Sequence, residues 1–291
     1  MADYLRIFST MADYEAYIAG SYDKPNVSYI EATGETIYTN YEDEPAGPDT
    51  VLESVKIADF TGTTFNAGTS YITEANVPEG VTSIGSSAFK NYIALTSVTL
   101  PSTLTTINSE AFRACNALTS IDIPAGVTAI NQTAFDNCIA LTSVNFLGVP
   151  ALTTIGNYSF NGCIHLASID IPAGVTAIGQ EVFRDCKALT SIDIPAGVTS
   201  IGNSAFNGCI HLASIDIPAG VTAIGQEVFR DCTSLTSVTV NATTPPTLSA
   251  YVFNNTPANM VIYVPAESVE TYKAASGWST YASKIQAIPS E

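Results

Sequence analysis

The sequence predicts a curved, right-handed solenoid built from coils of about 23 residues, with a small α+β module before it and a short helical cap after it. Three observations predict it. A Phe recurs at Phe89, Phe112, Phe135, Phe160, Phe183, Phe206, Phe229 and Phe253, at intervals of 23, 23, 25, 23, 23, 23 and 24 residues. Around it the unit reads P-A-G-V-T-A-I-G-x-x-A-F-x-x-C-x-x-L-T-S-I-D-I, whose closing segment fits the L-x-x-L-x-L strand of a leucine-rich repeat. Residues 160–186 and 206–232 are identical over 27 positions, which points to duplication of a two-repeat block. No single unit can bury both of its faces, so neighbours must stack into one continuous core.

The chain opens on something different in kind. Residues 1–45 hold seven of the fourteen Tyr and no repeat, and read as a Tyr-rich acidic attachment module. Met11–Gly20 can form a short helix, and the stretch from Asn26 to Tyr38 reads as two strands around a Thr33-Gly34 turn. An acidic, Pro/Gly-containing stretch from Tyr41 to Asp49 leads into a linker and degenerate first coil over 46–71.

The leucine-rich repeats proper occupy 72–240. In each, the period of two puts Ile121 and Ile123 on one face and Ser120 and Asp122 on the other. Pro124 ends the strand, having no N–H for the ladder. Val127 and Ile130 turn a second short segment back into the core. The next residue is always Gly or Asn: Gly85, Asn108, Asn131, Gly156, Gly179, Gly202, Gly225. These types tolerate left-handed backbone best, so a positive φ is expected there. The Gly of P-A-G is replaced by Thr103 and Ala151 and needs no such φ. The A-F-x-x-C stretch is too short for an independent helix and is expected to close the coil as one helical or 3₁₀ turn.

Residues 241–291 form a degenerate last repeat and a cap. They keep Phe253 but lose the Cys and Gly, and 264–275 has helical apolar spacing that stops at Gly277. Trp278, the only Trp, is expected to plug the open end of the core.

Composition narrows function. A formal net charge of −17 argues against nucleic-acid binding and against docking on an anionic membrane. The acidity is uneven: residues 1–60 carry twelve Asp and Glu against three Lys and Arg. No stretch is long and apolar enough for a membrane span. The first twenty residues show no signal-peptide pattern, so an extracellular or virion-surface location would imply cytoplasmic synthesis and non-Sec release.

Candidate chemistry is repetitive. Cys115, Cys138, Cys163, Cys186, Cys209 and Cys232 share one repeat position and are expected to stack as a buried structural ladder; parallel Cβ vectors disfavour disulfides, and no C-x-x-C supports zinc. His165 and His211 are copies two coils apart, too distant for one metal. No catalytic, cofactor or metal motif is present. The expected binding face is the concave strand row Thr99, Asp122, Asn145, Asp170, Asp193, Asp216 and Thr239, flanked by a row of serines. Such a surface suits a protein or a repetitive glycan. A second outward row, Lys90, Arg113, Asp136, Asn161, Arg184, Asn207 and Arg230, follows the Phe and reads as solvated charge.

The recurring P-A-G-V-T-x-I-G-x-x-A-F-x-x-C-x-x-L-T-S-I-D-I units, with the tail from Ile262 through Gly277-Trp278 to Ile285, resemble the BspA-like leucine-rich-repeat family over about 72–288. That resemblance implies a surface or secreted adhesin binding host proteins, cells or matrix. Pro25 to Tyr38 is similar to short leader modules of gut-bacterial and phage proteins, which implies a virion-associated host-binding protein. The expected function is therefore non-enzymatic adhesion or recognition of a cell-surface protein or glycan, with residues 1–70 joining a larger assembly. A purely structural decoration of such an assembly is the competing class, and a carbohydrate-active enzyme on the Asp row a third.

Overall fold

The structure, a computed structural model, describes residues 73–77 and 79–290 together with three short strands upstream. Two of these, Ser28–Ile30 and Ile37–Thr39, pair antiparallel with Tyr29 opposite Tyr38, as the two strands read from the sequence. The helix expected over 11–20 lies outside the described residues. The third, Val55–Lys56, pairs in parallel with Glu74–Asn76, which places a coil ahead of the regular repeats.

Each coil has three sides around one core. On the strand side, Ser120–Ile123 alternates as the period of two requires: Ile121 and Ile123 are buried, Ser120 and Asp122 exposed. The second side is a two-residue strand ending on a buried Ile, such as Ala129–Ile130. These short strands pair in parallel from 83–84 to 154–155 and again from 177–178 to 247–248, with the pairing interrupted between the two groups. The interruption follows the 25-residue interval between Phe135 and Phe160.

The third side carries the Phe. Phe89 to Phe229 are fully buried, and rings of successive coils stack almost parallel with centroids between 5.0 and 5.8 Å apart. Burying a side chain of this size contributes roughly 1.5–3 kcal/mol. The expected i→i+3 bonds are present: the Ala88, Lys90 and Tyr92 N–H groups donate to the Gly85, Ser87 and Phe89 carbonyls at 3.2, 3.1 and 3.2 Å. They do not wind into a helix, because left-handed residues interleave them. The residue two before each Phe (Ser87, φ 59°; Glu181, φ 52°) and the residue two after it (Asn91, φ 65°; Asp185, φ 56°) have positive φ. Each turn therefore presents alternate N–H groups to the following coil. Three backbone bonds cross every one of the seven steps from Phe89 to Phe253, for instance from the Glu181, Phe183 and Asp185 N–H groups to the Asn203, Ala205 and Asn207 carbonyls at 2.9, 2.9 and 2.8 Å.

The left-handed backbone is thus not where the sequence placed it. Gly85, Gly156, Gly179, Gly202 and Gly225, like Asn108 and Asn131, do not have positive φ. Close approach of coils explains the glycines from Gly156 onward. A Cβ on Gly202 would stand 2.6 Å from the Gln180 nitrogen and 2.6 Å from the Gly179 carbonyl carbon. At Asn108 the side-chain amide instead donates to the Ile84 carbonyl at 2.8 Å.

The C-terminal cap is as expected in kind. A 3₁₀ turn, Ala266–Ser268, leads into the helix Val269–Ala274; Gly277 has φ 81° and Trp278 is fully buried. The Trp278 indole donates to the Pro246 carbonyl at 2.8 Å and the Tyr272 hydroxyl to the Ala242 carbonyl at 2.7 Å. Both aromatic groups therefore pin the 242–246 segment of the last repeat while they close its core. Ile285–Ala287 adds a final parallel strand beside Val261–Val264.

Candidate functional site

The strand-side row faces solvent along most of its length. Thr99, Asp122, Asn145, Asp170, Asp193 and Asp216 are exposed, and Thr239 is half-buried. Asp122 and Asn145 stand opposite one another in paired strands, and the Asn145 amide donates to the Asp122 carboxylate at 2.8 Å. Asp216 stands opposite Thr239, and Thr239 opposite Tyr263, so the row extends onto an aromatic residue near the cap. Asp170 and Asp193 lie in the extended segments 168–171 and 191–194, which form no ladder with their neighbours among the described residues. The expected continuous strand is interrupted there.

Beside this row the surface is recessed. A depression of about 420 Å³ is lined by Asp193 and Asp216, by Ala196, Pro218 and Ala219 of the P-A-G edge, and by Asn241. Nothing in the repeat pattern marks it, because it is shaped by the spacing of neighbouring coils. A second feature missed by repeat counting sits in the 25-residue interval. The segment Leu147-Gly148-Val149-Pro150 projects from the same edge, with Val149 90% and Leu147 46% exposed. It is held at both ends by backbone bonds, Leu147 N–H to Ile123 and Ala151 N–H to Ala125, each at 2.9 Å. The cue was available: the interval lengthens by two residues, and the added stretch is apolar.

The other candidate groups are occupied within the fold. All six cysteines are free and buried. Each thiol donates to the carbonyl of the Phe in the preceding coil, as Cys138 does to Phe112 at 3.0 Å and Cys209 to Phe183 at 3.2 Å. Burial pushes the Cys138 and Cys232 thiols up to about 12, so they are poor nucleophiles. The His165 and His211 Nδ1 atoms each lie 2.6 Å from a carbonyl, of Ile139 and Lys187, in exposed positions of the preceding coils. The outward row after the Phe neutralises itself. Lys90 bonds Glu110, whose carboxyl it holds below the usual range; Arg113 meets Asp136 at 3.0 Å; Arg184 meets Glu181 at 2.8 Å and Arg230 meets Glu227 at 3.0 Å. Asp136 is buried and also accepts from the Asn137 and Asn161 amides, each at 3.0 Å. Exposed pairs of this kind stabilise by about 0–1 kcal/mol, but they leave little free charge on that side.

The BspA-type leucine-rich repeat region model matches this chain in six copies, over residues 60–151 and 153–275. The chain belongs to the BspA-type leucine-rich repeat family. The match spans every Phe-centred coil and ends inside the cap. No curated protein matches the chain. Among solved structures, a leucine-rich repeat protein from Bacteroides ovatus shares 19% identity with a TM-score of 0.45, covering 92% of this chain and all of its own. The T. pallidum leucine-rich repeat protein shares 24% identity with a TM-score of 0.46, over 75% of this chain and 92% of its own. The pneumococcal vaccine antigen PcpA shares 16% identity with a TM-score of 0.35, over 82% of this chain and 85% of its own. BspA-type repeats are typically found in surface proteins and leucine-rich repeats generally mediate protein interactions, so the family supports an interaction role at a surface. No helix among the described residues is long and apolar enough to cross a membrane.

Proposed function

We propose that this BspA-type protein is a non-enzymatic adhesin, binding a protein or glycan on a cell surface through its strand side, with residues 1–70 joining it to a larger assembly. One observation carries the reading. The two outward rows of the same coils differ in what they have left to offer. The charged members of the row after the Phe are closed in ion pairs, whereas the strand-side row leaves Asp170, Asp193 and Asp216 exposed without ion-pair partners among the described residues, beside a recess. Function on a solenoid commonly lies on such an extended surface. Carrying the same face on a virion is a variant of this reading and is supported only by the segment 25–38.

The test is binding of the labelled full chain to intact bacteria and to immobilised mammalian matrix proteins. Saturable binding that is lost in Ala219→Trp, which fills the recess, is the expected result. Absence of saturable binding to either target, with the chain instead retained only in a multiprotein particle, would leave the structural-decoration reading in its place.

A further inference from the structure

Ten steps carry the strand side from Lys56 to Gln286, and pairing is not uniform along them. Six are paired: Lys56 to Asn76, Asn76 to Thr99, Asp122 to Asn145, Asp216 to Thr239, Thr239 to Tyr263 and Tyr263 to Gln286. Four are not: Thr99 to Asp122, Asn145 to Asp170, Asp170 to Asp193 and Asp193 to Asp216. Every unpaired step, and no paired one, leads into an Asp. The bond that opens each step follows the same division. It is 2.7 Å from Thr96 N–H to the Thr73 carbonyl, 2.8 Å from Thr142 to Thr119 and 2.9 Å from Thr236 to Ala213. Before an Asp it lengthens to 3.4 Å from Thr119 to Thr96, 3.4 Å from Thr190 to Ala167 and 3.3 Å from Ala213 to Thr190; Ala167 makes no such bond among the described residues. Packing loosens where neither neighbouring step is paired: Ile171 and Ile194 are each 8% exposed, against 1% for Ile123 and 0% for Ile217, which pair with the following coil.

The duplication supplies an internal control. Segments 168–171 and 214–217 are both S-I-D-I, inside blocks that are identical over 27 residues. The second pairs forward with Ser237–Val240, where Thr239 meets its Asp; the first fails to pair with 191–194, where Asp193 does. The strand's own composition is therefore not the cause. Nor are Ala167 and Ala213, which replace the Thr of other coils, because the step from Thr96 into Thr119 opens without them and the step out of Ala213 into Thr236 is closed.

We infer that Asp122, Asp170, Asp193 and Asp216 act as charge wedges, each holding open the seam to the coil before it, so that the strand side closes when they are neutralised. A carboxylate tolerates pairing with an uncharged residue of the following coil, as Asp122 does beside the Asn145 amide and Asp216 does opposite Thr239. Carboxylates stacked at a strand spacing of ~4.8 Å repel one another and stay hydrated by standing apart. Those behind Thr99 and Asn145 receive no side-chain bond from them among the described residues. Around the row, Ser168, Ser191 and Ser214 are uncharged; of the described bases of these coils, Arg184 and Arg230 are paired on the turn side and Lys187, next to the buried Cys186, is exposed. Only Lys56 shares the register of the row, at its far end beyond Asn76. The turn-side ladder continues through all four open seams, so opening the strand side does not separate coils.

Hydrogen exchange of the full chain tests this in both directions. In Asp170→Asn/Asp193→Asn/Asp216→Asn, amides of 168–171 and 191–194 are expected to exchange about tenfold more slowly than in the wild type. In Asn145→Asp, amides of 120–123 and 143–146 are expected to speed up by a similar factor, which remains readable should the triple variant fail to fold. Unchanged exchange in a triple variant with native circular dichroism, or in Asn145→Asp, overturns the inference. So does closure of the 143–146 to 168–171 seam by Ala167→Thr alone.

Discussion

On the turn side, every step from Phe89 to Phe253 carries three backbone hydrogen bonds and a ring stack; on the strand side, four of ten steps carry no pairing. Both sides come from the same repeated unit. The turn side tolerates substitution at its outward positions because its ladder uses backbone and its core uses Phe and Cys. The strand side is sensitive to what stands opposite what, since its outward residues meet their own copies in register. A repeat that stacks identical carboxylates weakens its sheet where it displays them. The order that holds the solenoid together and the surface that it offers are thus on different sides.

That contrast can be broken at several points. The largest effect is expected from Phe206→Ala, which leaves a cavity in the stack and should lower stability by about 3–5 kcal/mol, read from denaturant unfolding of the full chain. Alkali should act on the same side. The Cys138 and Cys232 thiols, whose ordinary value is 9.0, are pushed up to about 12 by burial. The native state therefore retains protons that the unfolded state loses, and stability should be intact below pH 9 and fall from there towards about 12. Titration of the unfolding midpoint checks the sign, and thiol alkylation at neutral pH should be slow until the chain unfolds. Gly202→Ala sets a Cβ against the Gln180 backbone and should cost about 1–3 kcal/mol by the same unfolding measurement. The smallest effect belongs to the strand side: Asp193→Asn should stabilise by no more than about 0.5 kcal/mol.

The repeat, its core and its cap were legible because burial imposes a period. Phe, Cys, Leu and Ile recur where the core needs them, and Trp278 stands where the stack ends. The left-handed backbone was misplaced because Gly serves two purposes that sequence does not separate. After the Ile, it removes a Cβ from a close approach between coils. The better signal was two residues after the Phe, where Asn91, Asn137, Gly162, Asp185, Gly208, Asp231 and Asn255 favour the left-handed region. The residues two before it, such as Glu181 and Tyr158, carry no such preference and are held there by the ladder. The strand row was legible as residues but not as interrupted pairing, because pairing depends on which copy meets which. The recess between Asp193 and Asn241 depends on that same spacing.

The most direct test of a strand side free for recognition compares one charge reversal on each side of the solenoid. Asp193→Lys on the strand side and Arg184→Glu on the turn side are measured in the full chain for stability and for saturable binding to bacteria and matrix proteins. The expected result is native stability in Asp193→Lys with binding reduced by at least about tenfold, and binding unchanged in Arg184→Glu. Binding that survives Asp193→Lys and is lost in Arg184→Glu would place recognition on the turn side and contradict the account.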